Sequence, residues 1–163
     1  MKTVLMSIKP KYSRRIFLRE KRYELRRTPI KLQAGDVVLV YESTPMKALV
    51  GAFVVEGVRR GDKTELWNEL GEDFGVSGDE YRDYFEGTQV AHAIEVGDVV
   101  EIEPIPLGEL RDRHRGFRPP QSYMYWRQPL KALLGVAAAL AVCGVVAKLA
   151  TASDGAAAHD AAK

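Results

Sequence analysis

The chain has 163 residues, is 46% hydrophobic and carries a formal net charge of +2, which fits one compact domain with room for an appendage. Its one cysteine, Cys143, excludes an intramolecular disulfide and any multi-cysteine metal site, and points to a reducing, cytoplasmic setting. The near-neutral total hides an asymmetry: residues 9–31 sum to +8 and residues 56–103 to −10, so one positive face aimed at a polyanion is expected.

Thr3 to Ile8 alternates as a strand, with Val4, Met6 and Ile8 on one side and Leu5 on the other. Met1 to Leu5 lacks the long apolar run of a secretory signal, so none is expected. Lys9-Pro10 is a helix entry, because proline suits the first helical position. The helix over 11–18 turns Tyr12, Ile16 and Phe17 inward and leaves Lys11, Arg14 and Arg15 in water. Arg19-Glu20-Lys21-Arg22-Tyr23-Glu24-Leu25-Arg26-Arg27 then concentrates more ionisable chemistry than any other nine residues. Read as a strand from Lys21, it puts Arg22, Glu24 and Arg26 on one face and Tyr23, Leu25 and Arg27 on the other. Burying Tyr23 and Leu25 would hold the opposite row rigidly, as a site for an anionic or phosphate-bearing ligand requires. The competing reading is a solvated edge strand whose charges discourage edge-to-edge pairing.

Gln33 to Asp36 is a turn, and Val37 to Tyr41 is a strand apolar on both faces. Lys47 to Val58 is a long β run with Gly51 and Gly57 as bulge or bend points, as in small sheets that curl into barrels. Asp62 to Leu70 is helical, with Leu66, Trp67 and Leu70 on one face. Ser77 and Glu80 form a capping box for a second helix whose apolar side is Tyr81, Tyr84 and Phe85. Strands follow over 88–95 and 97–102, then a short helical turn over 107–112. The double proline at 119–120 makes residues 113–123 an irregular loop. Here Arg111, Arg113, Arg115 and Arg118 form a second basic cluster, interleaved with Phe117 and Tyr123, a composition suited to single-stranded nucleic acid. Phe117 itself is expected to anchor the loop. Ala132 to Ala147 has no charge and is bracketed by Lys131 and Lys148. Residues 130–149 therefore read equally as a membrane anchor that leaves the domain in the cytoplasm and as an apolar helix docked on the domain. Residues 150–163 read as a flexible tail.

Arg19 to Arg26 resembles the signature of the ASCH domain, a branch of the PUA-like superfamily, written Gly-x-Lys-x-x-Glu-x-Arg. Lys21, Glu24 and Arg26 fall on its charged positions, and Arg19 stands where it has glycine. The opening strand and helix, the strands at Val37–Tyr41 and 49–58, and the run Gly116 to Tyr123 are also similar to stand-alone ASCH proteins labelled transcriptional regulators. The resemblance covers residues 1–126. It implies an α+β fold: a small PUA-like β-barrel flanked by short helices, with the signature lining a cleft. An apolar Ala-rich helix over 127–149 and the tail would lie outside that domain. It also implies nucleic-acid-related function, with ribonucleases and modified-cytidine amidohydrolases among its members.

The residues discriminate in part. The amidohydrolase branch needs a hydroxyl nucleophile three positions after the lysine, where this chain has Glu24. Glu24 and Lys21 could instead serve as a general base and acid, with Lys21 and Arg26 stabilising charge on a phosphate. No metal-ligand cluster and no phosphate-binding glycine loop are evident, since Gly71, Gly75 and Gly78 have the wrong spacing, so no cofactor is expected. The expected function is binding of RNA or a nucleotide-like ligand through Lys21, Glu24, Arg26, Arg27, Arg22, Lys9, Arg118 and Tyr123, with a regulatory role in transcription or translation. The alternatives are an enzyme in which Lys21 and Glu24 are catalytic and a membrane-tethered interaction module.

Overall fold

The computed structural model describes the backbone of residues 1–160 and the side chains of residues 1–148. Its strands are β1 (Thr3–Ile8), β2 (Tyr23–Arg26), β3 (Val37–Glu42), β4 (Ala48–Asp62), β5 (Val90–Pro106) and β6 (Tyr123–Trp126). They form one sheet in the order β2-β5-β4-β3-β1-β6. Only β1 and β3 run parallel; the other neighbours are antiparallel. A parallel pair needs a crossover, and here the crossover holds helix α1 (Pro10–Phe17) together with β2. The signature strand is thereby carried to the far edge of the sheet.

The expected barrel is realised as a six-stranded sheet that is not closed by a backbone ladder. Its two edges nevertheless meet through side chains. Arg26, at the β2 edge, donates from Nη2 to the Ser7 carbonyl of β1 at 3.1 Å and from Nη1 to Ser122 Oγ at 3.2 Å, just before β6. The Tyr123 hydroxyl of β6 donates to the Pro29 carbonyl at 2.8 Å.

Alternation sorts the apolar residues into three cores. The inner core joins Val4, Met6 and Ile8 to Val38, Val40, Phe53 and Ile94. Val37, Leu39 and Tyr41 face outward with Leu5, Leu49 and Phe117, so β3 is buried on both faces. On the outer side of β2 and β5 a third core holds Tyr23, Leu25, Phe74, Tyr81 and Phe85. Helices α2 (Lys63–Leu70) and α3 (Gly78–Tyr84) cover it, capped respectively by Asp62 and by the reciprocal Ser77–Glu80 box. Register shifts flank Gly51 and precede Gly57 in β4. At Gly51 a Cβ would sit 2.3 Å from the Val100 carbonyl oxygen and 2.8 Å from the Phe17 ring, so only glycine fits.

Helix α4 (Leu107–Arg113) leads into the irregular loop, where Phe117 is buried in the outer core as expected. The C-terminal segment requires a correction. It forms α5 (Leu130–Leu134), a break at Gly135 and α6 (Val136–Asp160). Leu133, Leu134, Ala139 and Val142 are buried in the outer core with Leu5, Leu39 and Trp126. Among the described residues no helix is long and apolar enough to cross a membrane, so the anchor and membrane-tether readings of 130–149 give way to a docked helix. The physical reason is that β3 and β4 carry an apolar outer face that this segment covers. Helical backbone continues through Asp160, where a flexible tail was expected from Ala150. The side chains from 149 and all of 161–163 lie outside the described residues.

Candidate functional site

Between α1 and β2 the chain reverses at Arg19, which takes the left-handed conformation (φ 63°) that the signature assigns to glycine. For a non-glycine residue that conformation costs roughly 1–2 kcal/mol. The turn drops Lys21 inward, and Gly75 makes room for it. Gly75 has φ 60°, and a Cβ there would lie 2.8 Å from the Lys21 Cβ. The close approach lets Lys21 Nζ donate to the Phe74 carbonyl at 2.9 Å, and Arg15 Nη1 donate to the Gly75 carbonyl at 2.5 Å.

Lys21 is 2% exposed, Glu24 6% and Arg26 6%, and the three form one ionic group. Glu24 Oε1 accepts from Arg26 Nη2 at 2.8 Å, and Oε2 lies 3.9 Å from Lys21 Nζ. Burial pushes the Lys21 ammonium below the ordinary lysine pKa, with Glu24 opposing the shift. Such a lysine releases its proton more readily than a surface one. Opposite Arg26 in the β2–β5 register lies His92, also buried. Neither of its ring nitrogens has a hydrogen-bond partner among the described residues, and burial lowers its pKa.

Lys21, Glu24 and Arg26 form the floor of a cleft of about 650 Å³, whose other walls come from α1, α3, the ends of β1 and β3, and the segment before β6; His92 does not line it. Of the residues singled out in the sequence, Lys21, Glu24, Arg26 and Lys9 line it. Arg22 does not. The strand begins at Tyr23 rather than Lys21, and exposed Arg22 pairs with Asp73 at 3.5 Å. Arg27 faces away and donates to the Glu86 carbonyl at 2.7 Å. Arg118 is exposed outside the cleft, and the Tyr123 hydroxyl serves the seam. Ser122, Ser7, Tyr12, Glu80, Asp83 and Tyr84 line the cleft without having been singled out as site residues. Ser122 stood within the closing run, and the α3 residues were read only as a cap and an apolar face. Nothing local in the sequence distinguishes them. Glu80 also links two helices: it accepts from Lys11 and from the Tyr12 hydroxyl. The Lys11 bond first, and then the Ser77 backbone N–H, hold its carboxyl down to about 2.

Residues 6–104 match the family model of the ASCH domain. A Zymomonas mobilis protein called "ASCH domain-containing ribonuclease" is 34% identical over 128 residues, covering 78% of this chain and 86% of that protein. The chain belongs to the ASCH family. As an ASCH protein it falls within the PUA-like superfamily. The crystal structure of ASCH from Zymomonas mobilis is similar at a TM-score of 0.78 and 31% identity, covering 83% of this chain and 95% of the other. Two more crystal structures of that protein, a tyrosine-to-phenylalanine and a serine-to-alanine variant, are similar at TM-scores of 0.74 and 0.73, each covering 78% of this ASCH chain.

Proposed function

We propose that this ASCH protein binds RNA in the cleft beside β2 and cleaves it there. The observation that carries the reading is the buried, mutually bonded Lys21–Glu24–Arg26 group on the floor of a cleft open to solvent. The relative named a ribonuclease supports cleavage over binding alone. Breaking a phosphodiester by hydroxyl attack needs an acceptor for the nucleophile's proton, a donor for the leaving oxygen and positive charge for the phosphate oxygens. Arg26 fixes Glu24 through Oε1, which leaves Oε2, free of hydrogen bonds among the described residues, to accept a proton. Lys21, with its lowered pKa, returns one to the leaving oxygen. Arg26 Nη1 carries the charge to the cleft's Ser122 side.

The Zymomonas variants favour Ser122 as a further member of the site. The tyrosine and serine replaced there are as far apart along that chain as Tyr41 and Ser122 are here. Ser122 lines the cleft, whereas Tyr41 lies in the outer core beside Phe117. A cytoplasmic location fits this reading, and regulation of transcription or translation would act through the same RNA contact.

The test is an RNA-cleavage and RNA-binding assay on the full chain, wild type against Glu24→Gln and Lys21→Met. Cleavage should fall at least 100-fold in Glu24→Gln with binding nearly intact. Wild-type binding without cleavage would leave a binding module, and absence of binding at low salt would remove the reading altogether.

A further inference from the structure

The two walls of the cleft are chemically unlike. The β2 side presents cations, and α3 presents Glu80, Asp83, Tyr81 and Tyr84. These four differ sharply in how far they are already engaged. Glu80 is taken by Lys11, Tyr12 and the Ser77 backbone. Tyr81 is buried and donates to the Lys63 carbonyl at 2.8 Å. The Asp83 carboxylate, in contrast, makes no hydrogen bond or ion pair among the described residues, and it is exposed. Tyr84 is 40% exposed, yet its ring is held at two points. Its hydroxyl donates to the Leu25 carbonyl at 3.2 Å, and the ring stands edge-on to Phe85 at 4.9 Å and 81°. An aromatic face that is exposed and already immobilised loses little entropy when a planar group stacks on it.

Resting on the RNA reading, we infer that α3 is the base-reading wall: Tyr84 is the platform on which a nucleobase stacks, and Asp83 accepts a hydrogen bond from its exocyclic amino group. The charges fix the ligand's direction. A phosphate is repelled by the unpaired Asp83 carboxylate and drawn to Lys21 and Arg26, which leaves the base toward α3. A carboxylate takes the amino groups of cytosine, adenine and guanine. Uracil offers one N–H flanked by two carbonyl oxygens, which the carboxylate repels. The base is therefore preferred when it carries an amino group, and cytosine against uracil isolates that group because the two rings stack alike.

The experiment is fluorescence-anisotropy binding of short oligo(C) and oligo(U) of equal length to the full chain and four variants. Wild type should prefer oligo(C) about tenfold, the discrimination of one good polar contact. Asp83→Asn, which can both donate and accept, should bring the two within about twofold. Tyr84→Leu keeps the packing on Phe85 but has no π face, so it should weaken both sequences by about tenfold. Tyr84→Phe should keep most of the affinity. A wild type without C-over-U preference, an Asp83→Asn that retains it, or a Tyr84→Leu that binds as wild type would each overturn the assignment. Lys21→Met separates the two levels. If it alone loses binding, the base wall is wrong and the RNA reading stands; if it too binds as wild type, the RNA reading itself falls.

Discussion

Arg26 donates to the Ser7 carbonyl at 3.1 Å, and that bond joins β2 at one edge of the sheet to β1 beside the other edge. The same guanidinium holds Glu24 at 2.8 Å. One side chain thus helps to close the seam of the sheet and orients the carboxylate of the site, so stability and function converge on it.

Arg26→Ala removes both. It removes the Arg26 bridges across the seam, leaving the Tyr123–Pro29 bond, and leaves Glu24, buried, with only Lys21 at 3.9 Å among the described residues. Loss of one partner from a buried ion pair costs about 3–5 kcal/mol, which urea unfolding should register as a lower midpoint. Arg27→Ala, a control just past the end of β2 and exposed, should stay within about 0.5 kcal/mol.

The docked C-terminal helices give a second expectation. Leu133 is fully buried in the outer core, so Leu133→Ala should cost about 2–5 kcal/mol by cavity formation. Truncation after Trp126 uncovers the outer face of β3 and should give an aggregating or destabilised protein, read by light scattering. A monomeric truncation as stable as the full chain would show that residues 1–126 form the domain by themselves.

Much of the frame was legible because it is local. The unbroken apolar run Val37–Tyr41 foretold a strand buried on both faces, Ser77 and Glu80 foretold a capping box, and Gly51 and Gly57 foretold bends in β4. What failed depends on distant parts of the chain. The face assigned to Arg22 assumed a strand from Lys21, but Lys21 is turned in by Arg19 and by Gly75 from beyond β4. β6 follows two prolines and shows no alternation, so its pairing with β1 was hidden. β5 runs unbroken through Gly97-Asp98, where the turn chemistry suggested two strands. Lys21, Glu24 and Arg26 were found from their charges and the family signature, whereas Ser122, Asp83 and Tyr84 reach the cleft only through the tertiary fold.

Acid should destabilise the protein in two stages. His92 has a folded pKa below the ordinary histidine value, so the unfolded chain binds its proton first. Stability is complete above about 6.5 and falls as pH drops through the folded value. Glu80, at about 2 in the fold, adds stability above its ordinary 4.5 that is lost between 4.5 and 2. Unfolding measured against pH should show both, and His92→Gln should remove the upper stage only.

RNA binding should weaken with salt. If about five phosphate contacts form on the basic segment and the cleft floor, log K against log salt should have a slope near −3.5. A slope near zero would mean that the charge asymmetry of the chain plays no part in recognition.

The proposed cleavage requires the scissile phosphate to sit on the Lys21–Glu24–Arg26 floor. The most direct measurement is a crystal structure of the full chain soaked with a ribodinucleotide whose attacking 2′-hydroxyl is methylated. Its phosphate is expected within hydrogen-bond reach of Lys21 Nζ or Arg26, with Glu24 Oε2 facing the blocked oxygen. A phosphate held instead on the Arg111–Arg118 loop, with the cleft floor untouched, would contradict it.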